Sequence, residues 1–350
     1  MPGLTDQAAT FSVSLGGKSI KDDRILSIQV EQELNLPAMF TVEIRIDDIN
    51  NPGWQDVDLA SIKPGGPAEI KLGQDSPKSL IKGEITAVEP YFGEPSSMEV
   101  RGYDFMHRMR FGQKRKSFLK KKDSDIAKTM ASKAKLSAST ESSKVKHENI
   151  FQNGLSDYDF LLQRAARLGY AMWVDGKTFH FKKPKLTASS GVTLTYRTVG
   201  ATALEFFQGS ITPAPIGETV NVRDWDIMKK KVVKGKGKKG DEISKMGGSK
   251  TAYQHSKPFG KSELTYTRLE AKDKSEAKSL AKAQHNNLLL ESISGRGACL
   301  GNPKIVVGKA LAISGVGGKF SGKYFITQTT HIFRPEDGYR TEFQVKKTAI

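Results

Sequence analysis

The 350-residue chain lacks most of the groups that mark secreted, membrane-spanning or metal-binding proteins. Its single cysteine, Cys299, can form no disulfide within the chain and no thiolate metal cluster, which favours folding in a reducing cytoplasm. No apolar run approaches the roughly 18–20 residues of a membrane-spanning helix. The N-terminus has no basic stretch leading into an apolar one. We therefore expect no membrane span and no secretory signal, and we expect Cys299 to be buried in a strand.

Motifs for catalysis and for cofactors are missing as well. Gly-Lys-Ser/Thr begins at Gly17, Gly176 and Gly260, but none has the second glycine five residues upstream that a phosphate-binding loop requires. The six histidines show no metal-ligand spacing, and no Gly-x-Ser-x-Gly motif is present. We expect no cofactor, no metal and no enzymatic activity. A cell-wall hydrolase stays open as an alternative, because the sequence does not show whether two carboxyl groups lie the required ~5–9 Å apart.

Positive charge is abundant and concentrated. The net charge is +17, and residues 229–239 read KKKVVKGKGKK without an acidic residue. We interpret this stretch as a solvated, glycine-loosened loop on a β-hairpin. The alternative is an electrostatic contact, since lysines without interleaved aromatics neutralise phosphates without reading sequence. The candidate contact residues are Lys229, Lys230, Lys231, Lys234, Lys236, Lys238 and Lys239.

Alternating apolar and polar residues dominate the chain on both sides of a mixed middle part. Residues 11–15, 25–30 and 40–46 alternate with period two, and residues 68–72, 80–88 and 98–103 are further strand-like stretches. Turns with glycine, proline or asparagine separate them. Later in the chain, the stretches 288–293, 304–307, 310–313, 324–330 and 341–345 also look like strands. A helix is expected at 274–287. Many short strands at regular spacing are typical of a β-barrel or a β-sandwich.

The middle of the chain has helical signals. Residues 123–136 carry acids in the first turn and apolar residues four apart. A second helix is expected at 157–168, with Ser156 and Asp159 resembling a capping box and Gly169 as its stop. Asp175-Gly176 predicts a hairpin turn. We therefore predict a first β-barrel at 1–104, a small α+β insert at 105–190, and a second β-barrel at 191–350 with its helix and Lys-rich loop.

Two stretches of the sequence resemble each other. Gly65 and Ile70 have the same spacing as Gly308 and Ile313, and in each case a strand, a turn and a second strand follow. One interpretation of this echo is an internal duplication, in which two similar barrels flank the insert. Glycine and β-branched residues recur in any β-protein, however, so coincidence is the alternative.

Three patches resemble a known family. They are residues 100–109 (VRGYDFMHRM), residues 156–176 (SDYDFLLQRAARLGYAMWVDG) and residues 301–308 (GNPKIVVG) with the strands that follow. In this order they resemble the late control D proteins of contractile-tailed phages and the hub part of VgrG spike proteins. The resemblance implies a baseplate hub, active as a homotrimer, that joins a hexameric tail tube to a trimeric spike.

The same resemblance implies the partners and the location. Tail tube, spike and baseplate wedge proteins would bind the hub, and tape-measure protein or DNA would pass through its lumen. The protein would be made in the bacterial cytoplasm and reside in a virion tail baseplate or injection particle. Because the chain ends after the second barrel, the spike is expected to be a separate protein. A basic nucleic-acid-binding protein is the alternative from another class, motivated by the charge.

Overall fold

The computed structural model describes residues 9–47, 54, 60–212, 219–226, 229–251, 253, 263–267 and 269–350. The Gly-Lys-Ser motif at 260–262 and the histidine at 255 lie outside these ranges. Most of the described chain is β-structure, and one 13-stranded sheet runs through both ends of the sequence. The fold is the predicted one, with two similar β-barrels flanking a small α/β domain.

The first barrel is built from the alternating segments near the N-terminus. The strands are β1 (Thr10–Leu15), β2 (Lys18–Ser19), β3 (Ile25–Glu33), β4 (Met39–Arg45), β5 (Pro67–Gly73), β6 (Lys78–Tyr91) and β7 (Ser97–Asp104). They pair in the order β3-β4-β7-β6-β5-β1-β2 around one core, and alternate side chains of β4 are buried in it.

The insert has its own core of aromatic, methionine and aliphatic side chains. Its second helix begins and ends where the sequence predicts: the Ser156 hydroxyl accepts a hydrogen bond from the Asp159 N–H, and Gly169 is left-handed. The elements are β8 (Lys114–Lys121), α1 (Asp123–Lys133), β9 (Ser137–Thr140), β10 (His147–Leu155), α2 (Asp157–Leu168), β11 (Ala171–Asp175) and β12 (Thr178–Lys182).

The second barrel is a closed ring of six strands. They pair in the order β13-β14-β18-β21-β20-β19, and β19 pairs back with β13. Cys299 is fully buried in this barrel, as predicted, and burial raises the pKa of its thiol to about 12. The strands are β13 (Ser189–Tyr196), β14 (Ala203–Ile211), β18 (Ile293–Leu300), β19 (Ala310–Ser314), β20 (Gly322–Arg334) and β21 (Gly338–Lys347).

A separate lobe interrupts the second barrel between β14 and β18. A three-stranded sheet packs there against a helix, and we call this unit the α3 lobe. Its elements are β15 (Thr219–Asp226), β16 (Lys231–Lys238), β17 (Glu263–Tyr266) and α3 (Lys274–Leu290). The domain limits 1–104, 105–190 and 191–350 stay a prediction.

Two predicted strands are wrong. The apolar run at 288–290 belongs to α3, because Leu289 faces a buried cluster at helical spacing, and β18 starts only at Ile293. Residues 304–307 form turns instead of a strand, because the Asn302 side chain accepts a hydrogen bond from the Lys304 N–H and reverses the backbone. A short apolar run does not distinguish a strand from the buried end of a helix.

Candidate assembly surfaces

The two barrels repeat each other down to single hydrogen bonds. The Gly65 N–H donates to the Ile85 carbonyl at 2.8 Å, and the Gly308 N–H donates to the Ile326 carbonyl at 3.1 Å. Both glycines are left-handed, with φ of 84° and 82°. The Ile85 N–H in turn donates to the Gly66 carbonyl, as the Ile326 N–H does to that of Lys309. This correspondence indicates duplication, because chance resemblance in composition would not reproduce hydrogen bonds.

Strand order and irregularities correspond too. The meander β5-β6-β7 is matched by β19-β20-β21, and the neighbours β4 and β3 are matched by β18 and β14. The register of β6 against β7 shifts between Ile85 and Ala87, and that of β20 against β21 shifts between Ile326 and Gln328. In both barrels the bulge lies where the long strand, β6 or β20, stops pairing with β5 or β19 and continues to pair with its other neighbour. A β-bulge bends its strand, which agrees with this change of partners.

A strand pair joins the two barrels into one sheet, and we call this strand pair the joint. β3 of the first barrel pairs antiparallel with the second half of β20, from Gln328 opposite Glu33 to Phe333 opposite Ile28. The Thr329 hydroxyl also hydrogen-bonds the Gln32 side chain across the joint, at 3.3 Å. Phe333 packs against Phe11 at 4.6 Å between ring centroids. The barrels are thus held by backbone pairing, which fixes their relative register.

A buried histidine lies in this joint. The His331 Nε2–H donates to the Ile305 carbonyl at 3.1 Å, and Nδ1 forms a hydrogen bond with the Tyr339 hydroxyl at 2.8 Å. Burial lowers the pKa of His331 to about 4, and the contact with the Ile305 carbonyl opposes this shift only in part. The ring is therefore neutral at physiological pH and acts as packing with satisfied hydrogen bonds. None of the geometry around it indicates a metal ligand.

Buried charges fasten the α3 lobe to the insert. Arg167 of α2 donates to the Glu276 carboxylate at 2.5 Å and to the Leu269 carbonyl at 2.8 Å. Arg164 binds Asp123 next to it. Burial acts to raise the pKa of Asp123, but hydrogen bonds from His147 and Arg164 hold it at about 2. These charges compensate one another, so the network orients two elements and shows no poised acid or base.

The Lys-rich stretch is a strand, and the prediction of a loop is wrong. β16 pairs with β15 over its whole length, and its side chains alternate between two environments. Val233, Gly235 and Gly237 face α3, whereas the even-numbered lysines point outward. A Cβ on Gly235 would lie 2.0 Å from the Ala277 carbonyl carbon. The glycines therefore let a helix approach the sheet closely, rather than loosening a loop.

The structure places three of the seven predicted lysines together on one face. Lys234, Lys236 and Lys238 lie in a row on β16, opposite Arg223, Asn221 and Thr219 of β15, respectively. Lys231 lies on the other face of β16, Lys229 and Lys230 are in the preceding turn, and Lys239 is in the following one. Two of the seven have acidic neighbours: Lys229 lies 3.6 Å from Asp226, and Lys236 lies 3.7 Å from Glu263. We call the outward face of β15–β17 the lysine face.

Sequence reasoning missed the exposed aromatic residues. Tyr91 and Phe92 at the end of β6 are 64% and 56% exposed, and Phe206 of β14 is 42% exposed. Trp54 contacts Phe92 edge-on, with 5.0 Å between ring centroids. Their surroundings depend on how strands far apart in sequence are arranged, so only the tertiary structure identifies them as exposed.

Within the described ranges, no group of three or more His, Cys, Asp or Glu side chains is arranged to hold a metal ion. No helix in the same part of the chain is long and apolar enough to span a bilayer.

Solved structures with the same fold are tail proteins. The chain resembles the prophage MuSo2 43 kDa tail protein from Shewanella oneidensis with a TM-score of 0.68, 12% identity and coverage of 97% of this chain and 98% of that one. A tail protein from Neisseria meningitidis gives 0.69, 13% and 97% of both chains. A type VI secretion component from E. coli, described as similar to T4 bacteriophage tail proteins, gives 0.63 and 12%, covering 93% of this chain and 74% of that one.

At these identities the likeness shows a shared fold, that of phage tail and type VI secretion proteins. The family is shown by a sequence comparison instead. The model of the Alg8 N-terminal domain family matches residues 5–334, and the chain belongs to this family. No curated protein matches the chain.

Proposed function

We propose that this protein is a structural hub subunit of a contractile tail or injection particle, without catalytic activity of its own. The observation that carries the proposal is the duplication of the barrel, down to the hydrogen bonds of Gly65 and Gly308, within a fold shared with tail proteins. The resemblance of three sequence patches to late control D and VgrG proteins supports the same function.

The duplication suggests how the hub works. Three copies of a two-barrel chain supply six similar units, so a threefold ring has an approximate sixfold symmetry. One face of such a ring matches a hexameric tail tube, and its true threefold symmetry matches a trimeric spike. Wedge proteins would bind its outside. The hub's function would thus be geometric, and it requires no reacting group.

The first test is the mass of the purified protein. We expect light scattering over a concentration series to give about three times the 38.5 kDa of one chain. Electron microscopy of the same sample should show a ring with a central channel. A monomer or dimer at every concentration, also after co-expression with the tail tube and spike proteins from the same gene cluster, would contradict the proposal.

We further propose that the lysine face is an electrostatic contact for a polyanion, such as DNA passing through the particle. A row of exposed lysines at alternate positions of one strand presents several ammonium groups to one extended polyanion. Lysines that neutralise phosphates release counterions, so affinity falls steeply with salt and does not depend on base sequence.

Charge removal tests this contact. Replacing Lys234, Lys236 and Lys238 by threonine should weaken binding of double-stranded DNA at low salt by at least tenfold and reduce the slope of log affinity against log salt by about 2–3. The matched control removes the same charge elsewhere on the surface, at Lys18, Lys21 and Lys63. Equal losses in both variants would show that only net charge matters and that the lysine face is no contact.

A further inference from the structure

The joint inside the chain uses only one of two equivalent pairs of strand edges. The first half of β20 pairs with β19, and its second half pairs with β3. Its counterpart β6 offers its first half to β5, but residues 86–91 pair only with β7 among the described residues. Likewise, the counterpart of β3 is β14, whose residues 205–211 pair only with β18 in the described part of the chain.

The strand pairings show which residues of the first barrel correspond to which residues of the second. Starting from Ile85 and Ile326, the pairs that correspond are Val88 with Thr329 and Phe92 with Phe333. Following the pairing through β4 and β18, Gln32 of β3 corresponds to Ile211 of β14, and Ile28 corresponds to Phe207. In the internal joint, Thr329 lies opposite Gln32 and Phe333 opposite Ile28.

Side chains at the strand edges that form the joint are buried, whereas the equivalent side chains at the other pair of edges are exposed. Phe333 is 7% exposed inside the joint, while its counterpart Phe92 is 56% exposed. Ile28 is fully buried, whereas Phe207 is partly exposed and its neighbour Phe206 is 42% exposed. Large apolar side chains next to an unpaired strand edge are what a buried interface leaves uncovered in a free subunit.

We propose that residues 207–211 of one copy pair antiparallel with residues 88–92 of the next copy, in the register of the internal joint. This places Ile211 opposite Val88 and Phe207 opposite Phe92. The inference rests on the proposed ring. A second copy is the fitting occupant because the chain already contains this joint once, between counterpart strands.

The two strand edges also define the kind of contact between copies. Each chain has one edge of each kind, so the contact is heterologous and closes only when the rotation between copies completes a ring. Pro90 lies within the proposed strand pair and has no N–H to donate, so it contributes only its carbonyl to the backbone pairing. The remaining positions carry the ladder.

Cysteine cross-linking tests the register. Directly opposed residues of an antiparallel pair have Cα atoms roughly 4.5–5.5 Å apart, within the range of a disulfide. With Cys299 replaced by alanine, the Val88→Cys/Ile211→Cys variant should form disulfide-linked dimers and trimers on mild oxidation. The Gln32→Cys/Thr329→Cys variant is the matched control, and it should form the corresponding disulfide within one chain. A second control, Val88→Cys/Ser210→Cys, moves one cysteine to the opposite face and should remain unlinked.

Oligomeric state separates the two proposals. A trimer whose Val88→Cys/Ile211→Cys form stays unlinked, or links no better than the Val88→Cys/Ser210→Cys form, would overturn this joint and leave the hub intact. Absence of any trimer would overturn the hub itself. Hydrogen exchange is a second readout that needs no substitution. The backbone amides of residues 88–92, apart from Pro90, and of residues 207–211 should be protected at least tenfold more in the trimer than in the diluted monomer, and equal exchange in both would contradict the joint.

Discussion

Replacing Gly235 by valine is expected to destabilise the α3 lobe by about 3 kcal/mol, the upper part of the range for overpacked sites. The added Cβ would meet backbone atoms of Ala277 at 2.0 Å, and no side-chain rotation relieves a clash with a helix backbone. The helix must therefore move away from β16, which opens the small core around Val233 and Leu280. Urea denaturation, followed by a signal from the lobe, measures the change.

The control is Lys236→Val, one position along the same strand. It introduces the same side chain on the outward face, where strand propensity favours valine, so a change within about 0.5 kcal/mol is expected. If Gly235→Val cost no more than this control, close packing of helix on strand would not be the reason for the glycines, and a loose hairpin would again be the better description.

Removing Arg167 should have the second large effect, about 3–5 kcal/mol for Arg167→Met. This side chain is 7% exposed and satisfies the Glu276 carboxylate, which is 3% exposed, so its loss leaves a buried charge uncompensated. The Leu269 carbonyl loses its donor as well. Because the network connects α2 with the α3 lobe, the lobe should detach before the barrels unfold, and protease digestion should cut it first.

The matched control is Lys183→Met. Its ion pair with Glu141 spans 4.0 Å between half-exposed side chains, and such pairs contribute ~0–1 kcal/mol. The double variant Arg167→Met/Glu276→Met completes the comparison. It should recover much of the stability lost in Arg167→Met, because no buried carboxylate remains unpaired. A double variant as unstable as the sum of the single ones would contradict the assigned coupling.

The duplicated barrel connects stability with assembly. Within one chain, β3 and β20 already form the kind of joint that a ring needs, and its register is set by backbone pairing together with the contacts of Thr329 and Phe333. A subunit that carries half of its joints internally has fewer contacts to form during assembly. The α3 lobe packs next to one of the proposed strand edges, because Leu289 of α3 and Ile211 of β14 belong to one apolar cluster.

Local patterns predicted most of the elements and the outline of the fold. Alternation of apolar residues placed the strands of the first barrel within a few residues, and the Ser156 cap and Gly169 stop placed α2 at its observed ends. These signals are informative because each depends on residues close in sequence. One face of a strand must be buried, and the free backbone groups at a helix end must find hydrogen-bond partners. The echo around Gly65 and Gly308 also came from sequence, since a left-handed turn before a strand demands the same residue twice.

The α3 lobe and the strand edges could not be predicted in this way. Residues 229–239 look like a charged, glycine-rich loop in sequence, and only the approach of α3 explains why Gly235 and Gly237 alternate with lysines. In the same way, Phe92 and Phe333 occupy corresponding strand positions, yet one is exposed and the other buried. The sequence by itself determined the β-rich class, the repeat and the local ends of elements. The tertiary structure alone decided which edges and faces remain free, because each edge is covered or left open by strands that lie hundreds of residues away.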